Sequence, residues 1–222
     1  MATILKDYGA GGAGFGPIHG ISGTAPSKRH PPLALVLREI AADLLAMKSE
    51  EAVSRGNALV VDITSSRTKF IAMCTALDGD SGVTDTDFVA TQSPAALTAT
   101  AIVSPSALVA QLNAIRADLV ALRAKIITAT AKLDADAGVT DTNYTALWTP
   151  AALTSAVITT LAQAAAQVNA LVADRAALAA TYAGILAKLD ADATVNLTTY
   201  LATHAAAAPT AGTLTALSTI AG

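Results

Sequence analysis

The chain has 222 residues, of which 53% are hydrophobic, 14% charged and 4% aromatic, with a formal net charge of -3 and a single cysteine, Cys74. Charged residues reach only about half the ~25% of an ordinary soluble domain, and the apolar excess consists of 53 alanines, beside 28 threonines, rather than of large side chains. A near-neutral chain with no basic stripe excludes nucleic acid as a partner, and a lone cysteine excludes an internal disulfide.

Residues 1–31 read as an extended arm. Gly9, Gly11, Gly12, Gly14, Gly16 and Gly20 disfavour regular structure, and Pro17, Pro26 and Pro31 stop helices. Tyr8, Phe15, Ile18 and Ile21 are spaced through it as anchors for a partner surface. Met1 to Gly16 lacks the basic and apolar regions of a secretory signal.

Residues 32–222 form a helical repeat domain. The segment Leu77-Asp-Gly-Asp-Ser-Gly-Val-Thr-Asp-Thr-Asp-Phe88 matches residues 133–144, Leu-Asp-Ala-Asp-Ala-Gly-Val-Thr-Asp-Thr-Asn-Tyr, and a worn copy runs from Leu189 to Tyr200. Asn57 with Asp62, Asn113 with Asp118, and Asn169 with Asp174 keep the same spacing, as do Ser93-Pro94 and Thr149-Pro150. The reading is a threefold internal repeat of ~56 residues, with units near 57–112, 113–168 and 169–222.

A first helix is expected from Pro32 toward Leu77, with a weak point at Gly56. Ser93 and Thr149 suit helix N-caps, with Pro94 and Pro150 at the first helical position. A single helix from Pro150 to Leu189 then follows, while Pro105 kinks or splits its counterpart from Pro94 to Leu133. A short last helix is expected over 211–220. Gly82 and Gly138 suit left-handed helix ends, Thr84 and Thr140 suit caps with Asp87 or Asn143 three residues on, and Phe88, Tyr144 and Tyr200 suit plugs at the bundle end.

Ile115, Leu119, Leu122, Ile126 and Leu133 recur at alternating steps of four and three, as do Leu171, Leu178, Tyr182 and Ile185 in the next unit and Leu59, Ile63, Phe70, Met73 and Leu77 in the first. That period is the seam of a coiled coil. The expected fold is all-α, with long antiparallel helices in a coiled-coil-like bundle after the arm.

Phe88 to Ile115, Thr142 to Ala173 and Ala193 to Gly222 carry no charge. Their threonines, serines, glutamines and missing aromatic girdles speak against membrane spans. Uncharged helices need cover of another kind, so a homo-oligomer is expected, a trimer first, with Ile115, Leu119, Leu122, Ile126, Leu171, Leu178, Tyr182 and Ile185 as the seam between subunits.

Catalytic chemistry finds no constellation. His19, His30 and His204 are scattered, and Cys74 beside Met73 suits packing. The Asp78, Asp80, Gly82 opening resembles a calcium loop, but its fifth position is glycine and its twelfth Val89, so no metal ligands are assigned. No cofactor or enzymatic activity is expected.

The Leu-Asp-Ala-Asp-Ala-Gly-Val-Thr-Asp-Thr-Asn-Tyr element at 133–144, followed by Thr-Pro-Ala-Ala-Leu at 149–153, resembles one found in small Ala/Thr-rich structural proteins of tailed bacteriophages. The resemblance spans roughly 57–204 and implies a virion location and partners such as the capsid protein. The role implied is a head decoration or fibre, or alternatively a tail or neck connector. A protein coating lipid or granules with amphipathic helices is a further reading. It wants cationic borders beside the apolar stripe, and only Arg175 and Lys188 are basic beyond Pro150.

Overall fold

A computed structural model of the chain describes residues 33–212. All regular structure among them is helical: α1 (Leu33–Gly79), α2 (Phe88–Gln92), α3 (Leu108–Ala135), α4 (Tyr144–Trp148), α5 (Ala164–Ala191) and α6 (Tyr200–His204), with short 3-10 turns at Pro105–Ala107 and Leu161–Gln163. The chain divides into two compact units, 1–51 and 52–222. The described part of the first is helix, on which Leu33, Leu35 and Leu37 are exposed. The second holds several helices packed around one core.

Within that second unit the long helices run in the same direction. Arg175 of α5 bonds to Ser66 of α1, Tyr182 to the carbonyl of Lys69, and Asn196 beyond α5 to Asp80 beyond α1. Positions rise together along both helices, so the antiparallel expectation is overturned. Parallel helices need a return path. The chain supplies it as a short helix followed by an extended segment, which brings each helix back to the end where the previous one began.

Those return segments correct the expected helix starts. Residues 93–104 and 149–160 are non-helical, with extended backbone at Ser104, Thr149 and Thr160, so Pro94 and Pro150 do not open helices and no helix runs from 150 to 189. Pro105 neither kinks nor splits a helix. It sits in the first turn leading into α3, where its missing N–H leaves no intrahelical bond unmade. α1 passes through Gly56 unbroken, because the Cδ1 of Ile102 lies where a Cβ would project and the glycine admits it. Of the helix expected over 211–220, Ala211 and Gly212 are not helical and the rest lies outside the described residues. So do Tyr8, Phe15, Ile18 and Ile21.

The eight seam residues, Ile115, Leu119, Leu122, Ile126, Leu171, Leu178, Tyr182 and Ile185, are all buried within the one chain. They share a core with Leu59, Ile63, Phe70, Met73 and Leu77 of α1. The cover that a sister subunit was expected to give them comes from the chain's own other helices. Burying a leucine-sized side chain contributes roughly 1.5–3 kcal/mol, so this core is the main source of stability for the unit.

The helical stretch Leu161–Ala191 is long and apolar enough to cross a membrane by length and composition, and 44% of its most apolar window is buried inside the fold.

Candidate functional site

The polar features concentrate in two places: the loops beyond the long helices, and the tracks along which the extended segments lie. Both are organised by buried and half-buried aspartates.

Asp78, Asp134 and Asp190 lie in the last turn of their helices or just before it, and each reaches across its own loop. Their carboxylates accept the first two backbone N–H groups of the following short helix: Phe88 and Val89, Tyr144 and Thr145, Tyr200 and Leu201. A carboxylate at a helix N-terminus satisfies orphan donors and meets the positive end of the dipole. The cap is therefore ten residues upstream. Asp87 and Asn143, in the N-cap positions, make no side-chain cap bond.

Asp80, Asp136 and Asp192 act between loops. Asp136 accepts from the backbone N–H groups of Thr84 and Asp85 and from the Thr84 hydroxyl. Asp192 accepts from Thr140 Oγ1 and the N–H of Asp141. Asp80 accepts from the N–H groups of Asn196 and Leu197, 2.9–3.0 Å away. Each loop thus bonds to the next aspartate, and the last returns to the first. Thr84 and Thr140 donate across loops and cap nothing.

Where the loops meet, a Cβ on Gly82 would stand 1.7 Å from the carbonyl oxygen of Thr194, and one on Gly138 would stand 2.3 Å from that of Gly82. Neither glycine has the left-handed backbone expected for a helix end. Close approach of neighbouring backbones is what requires them. Phe88, Tyr144 and Tyr200 are fully buried beneath this junction.

The electrostatics follow from the donors. Burial opposes ionisation of Asp80, yet the N–H groups of Leu197, Gly82 and Asn196 and the Tyr200 hydroxyl outweigh it and hold the carboxyl below its ordinary value. Asp136 and Asp192 are lowered by the same balance. Burial and the adjacent Asp192 push the Tyr144 phenol up, and burial and Asp80 do so for Tyr200. Every carboxylate of this junction is engaged by N–H or O–H donors. Among the described residues no group of three His, Cys, Asp or Glu side chains converges as a metal site.

Asp62, Asp118 and Asp174 govern the tracks. Asp118 accepts from the N–H groups of Thr98 and Ala99 and from the Thr98 hydroxyl, all within 2.9–3.0 Å. Asp174 does the same for Thr154 and Ser155, and Asp62 for Thr210 and Ala211. The side chains of Asn57 and Asn113 each exchange two bonds with the backbone of Ile102 and Ile158. Arg67 donates to the carbonyls of Pro94 and Ala95, and Arg123 to those of Pro150 and Ala151. An extended segment needs partners for its backbone groups. Here helix side chains stand in for the neighbouring strand of a sheet.

Cys74 is buried, and burial together with Asp78 pushes its thiol up to about 12, which suits packing rather than nucleophilic chemistry. The His204 ring lies 5.9 Å from that of Tyr200, tilted by 49°. No family model, no curated protein and no solved structure matches the chain.

Proposed function

We propose that the chain is a non-enzymatic structural component of a bacteriophage virion, in which three 56-residue repeats form a parallel three-stranded coiled coil within one polypeptide. The observation that carries the structural half is the closed cycle of bonds at Asp80, Asp136 and Asp192, each made by the loop 52 or 116 residues away. A donor set devoted to holding backbone together, with each junction carboxylate occupied by N–H or O–H groups, is the chemistry of a scaffold. The seam steps of four and three fit knobs-into-holes packing. The virion half rests on the resemblance of residues 133–144 and 149–153 to phage structural proteins. Head decoration or head fibre is the preferred position, and a tail or neck connector is the alternative.

Attachment is assigned to the arm, residues 1–31. Deleting residues 1–25 leaves helix content unchanged by circular dichroism and abolishes incorporation into particles, read by immunoblot of purified virions. Loss of helix, or unchanged incorporation, refutes the arrangement.

Self-association is a second reading, favoured by α1 before residue 52. Leu33, Leu37, Ile40, Leu44 and Met47 recur at steps of four and three, Leu33 and Leu37 are exposed, and Asp43 and Lys48 take flanking positions that attract across a parallel pair of copies. Light scattering separates the readings, since a lone chain has a mass of 22.2 kDa and an oligomer a multiple of it. Coating of lipid or granules has weaker support, because the apolar side chains of α3 and α5 that it needs are buried in the core.

A further inference from the structure

The three return segments share the same aspartate anchors and differ in how the stretch before each anchor is held down. Asp118, Asp174 and Asp62 accept from the N–H groups of Thr98 and Ala99, of Thr154 and Ser155, and of Thr210 and Ala211. Arg67 and Arg123 grip the first two segments through the carbonyls of Pro94 and Ala95 and of Pro150 and Ala151. Leu97 and Leu153 pack those segments onto the core. The third segment has neither device. At the place of the arginine stands Ala179, and at that of the leucine Pro209, which is exposed. The carbonyl of Ala207, counterpart of Ala95 and Ala151, is reached instead from inside the core, by Arg175 Nη2 at 2.7 Å.

Holding the segment from within is costly. The counterparts of Arg175 in α1 and α3 are Ile63 and Leu119, both buried, and Arg175 is itself only 1% exposed. Its Nη2 also lies 3.3 Å from Ser66 Oγ, but its Nε and Nη1 are buried without a hydrogen-bond partner. The space beside the residue is walled by Phe70, Leu122 and Leu178, and the carboxylate oxygens of Asp62 are taken up by Thr210 and Ala211. A guanidinium does not give up its proton inside a protein, and a buried charge with unmade hydrogen bonds destabilises the state that buries it.

The cover over this charge is thin. Ala206 lines the space beside Arg175, and residues 207–210, next along the segment, are exposed. Lifting the segment hydrates the guanidinium, and water can then satisfy the carbonyl of Ala207 in its place. Opening at 93–104 or 149–160 brings no comparable gain, because Arg67 and Arg123 are only half-buried.

We propose that residues 205–211 form a strap that opens ahead of the rest of the helical unit, driven by hydration of Arg175. The packed helices then part at one seam of three, the one where the strap joins α5 to Asp62 of α1, while the other two stay closed.

Hydrogen exchange of the full chain, followed by NMR, tests this on three matched amide pairs, each bonded to its own aspartate. After correction for intrinsic rates, Thr210 and Ala211 exchange about ten-fold faster than Thr98 and Ala99 or Thr154 and Ser155, through a local opening. Arg175→Leu, which places at 175 the residue found at 119, slows exchange at Thr210 and Ala211 by about five-fold or more and leaves the other two pairs as they were. The comparison among the three pairs is made on the native chain and stands whether or not the variant folds. Equal protection of the three pairs overturns the proposal. So does unchanged or faster exchange at Thr210 and Ala211 in Arg175→Leu, faster exchange being the signature of an arginine that clamps the strap shut.

Discussion

Single side chains in this protein are intelligible in pairs. Gly184 of α5 leaves space for the indole of Trp148, whose ring carbons lie 2.1–2.5 Å from where a Cβ would stand. Fifty-six residues earlier the same two places hold Thr128 and Gln92, joined by a hydrogen bond from the threonine hydroxyl to the glutamine carbonyl. A large ring goes with no side chain, and a small polar residue goes with a threonine. Gly184→Ala is therefore expected to destabilise by about 1–3 kcal/mol through overpacking, although alanine is the better helix former by ~1 kcal/mol. The double variant Gly184→Thr with Trp148→Gln copies the earlier pair and recovers at least half of that loss. Urea denaturation checks both, and additive losses in the double variant would contradict the pairing. The ion pairs behave alike. Lys132 meets Asp85 and Asp87, and Lys188 meets Asp141. At the corresponding third place the lysine is Ala76 and the aspartate is Leu197, both members replaced together.

At the scale of elements, the extended segments are held by side chains rather than by strands. Asp118 is the anchor for 93–104, buried and accepting from two N–H groups and a hydroxyl. Charge-assisted bonds of this kind contribute roughly 1.5–3 kcal/mol each, net of exchange with water. Asp118→Ala is expected to cost about 2–4 kcal/mol and to speed hydrogen exchange at Thr98 and Ala99. Asp118→Asn, which keeps an oxygen but adds donors, falls between. Unaltered exchange at those two amides would show that the segment is held by its apolar contacts alone. These elements were the least legible in the sequence. Ser93-Pro94 and Thr149-Pro150 are good helix openings by local preference, yet extended backbone prevails because Arg67, Arg123, Asp118 and Asp174 offer partners that no local rule counts. The helices α1, α3 and α5 were legible because their apolar steps of four and three need no distant partner to be recognised. Their common direction was not, since a seam has the same period in parallel and antiparallel packing.

For the whole molecule, stability is tied to ionised carboxylates. Asp80, Asp136, Asp174 and Asp192 all sit below their ordinary value of 3.8, because N–H and O–H donors favour the charged form more than burial disfavours it. A carboxyl lowered in the folded state binds fewer protons there than when unfolded. Its contribution is complete above the unfolded value and is lost as pH falls through the lower folded value. The melting temperature is therefore expected to be level above about pH 5 and to drop steeply below pH 4. A melting temperature that held steady down to pH 3 would mean that these carboxylates do not secure the fold. The bonds from Thr210 and Ala211 to Asp62 join residues 148 and 149 positions apart and tie the last described segment to the first helix.

The amino-acid sequence by itself determined the helical class, the 56-residue recurrence, the apolar stripe of each long helix, though read as a seam between subunits, and the aromatic plugs at Phe88, Tyr144 and Tyr200. These follow from periodicity and side-chain size, which are local properties of the chain. Only the tertiary structure decided the direction of the helices, the extended return segments, the roles of the aspartates and the reason for Gly82 and Gly138. Each depends on which backbone groups a folded neighbour brings within hydrogen-bond reach, and a carboxylate does not record in the sequence which distant amide it will meet. The same holds for cover: an uncharged helix face must be buried, but whether by a second molecule or by the chain's own later helices is settled by how the chain returns on itself.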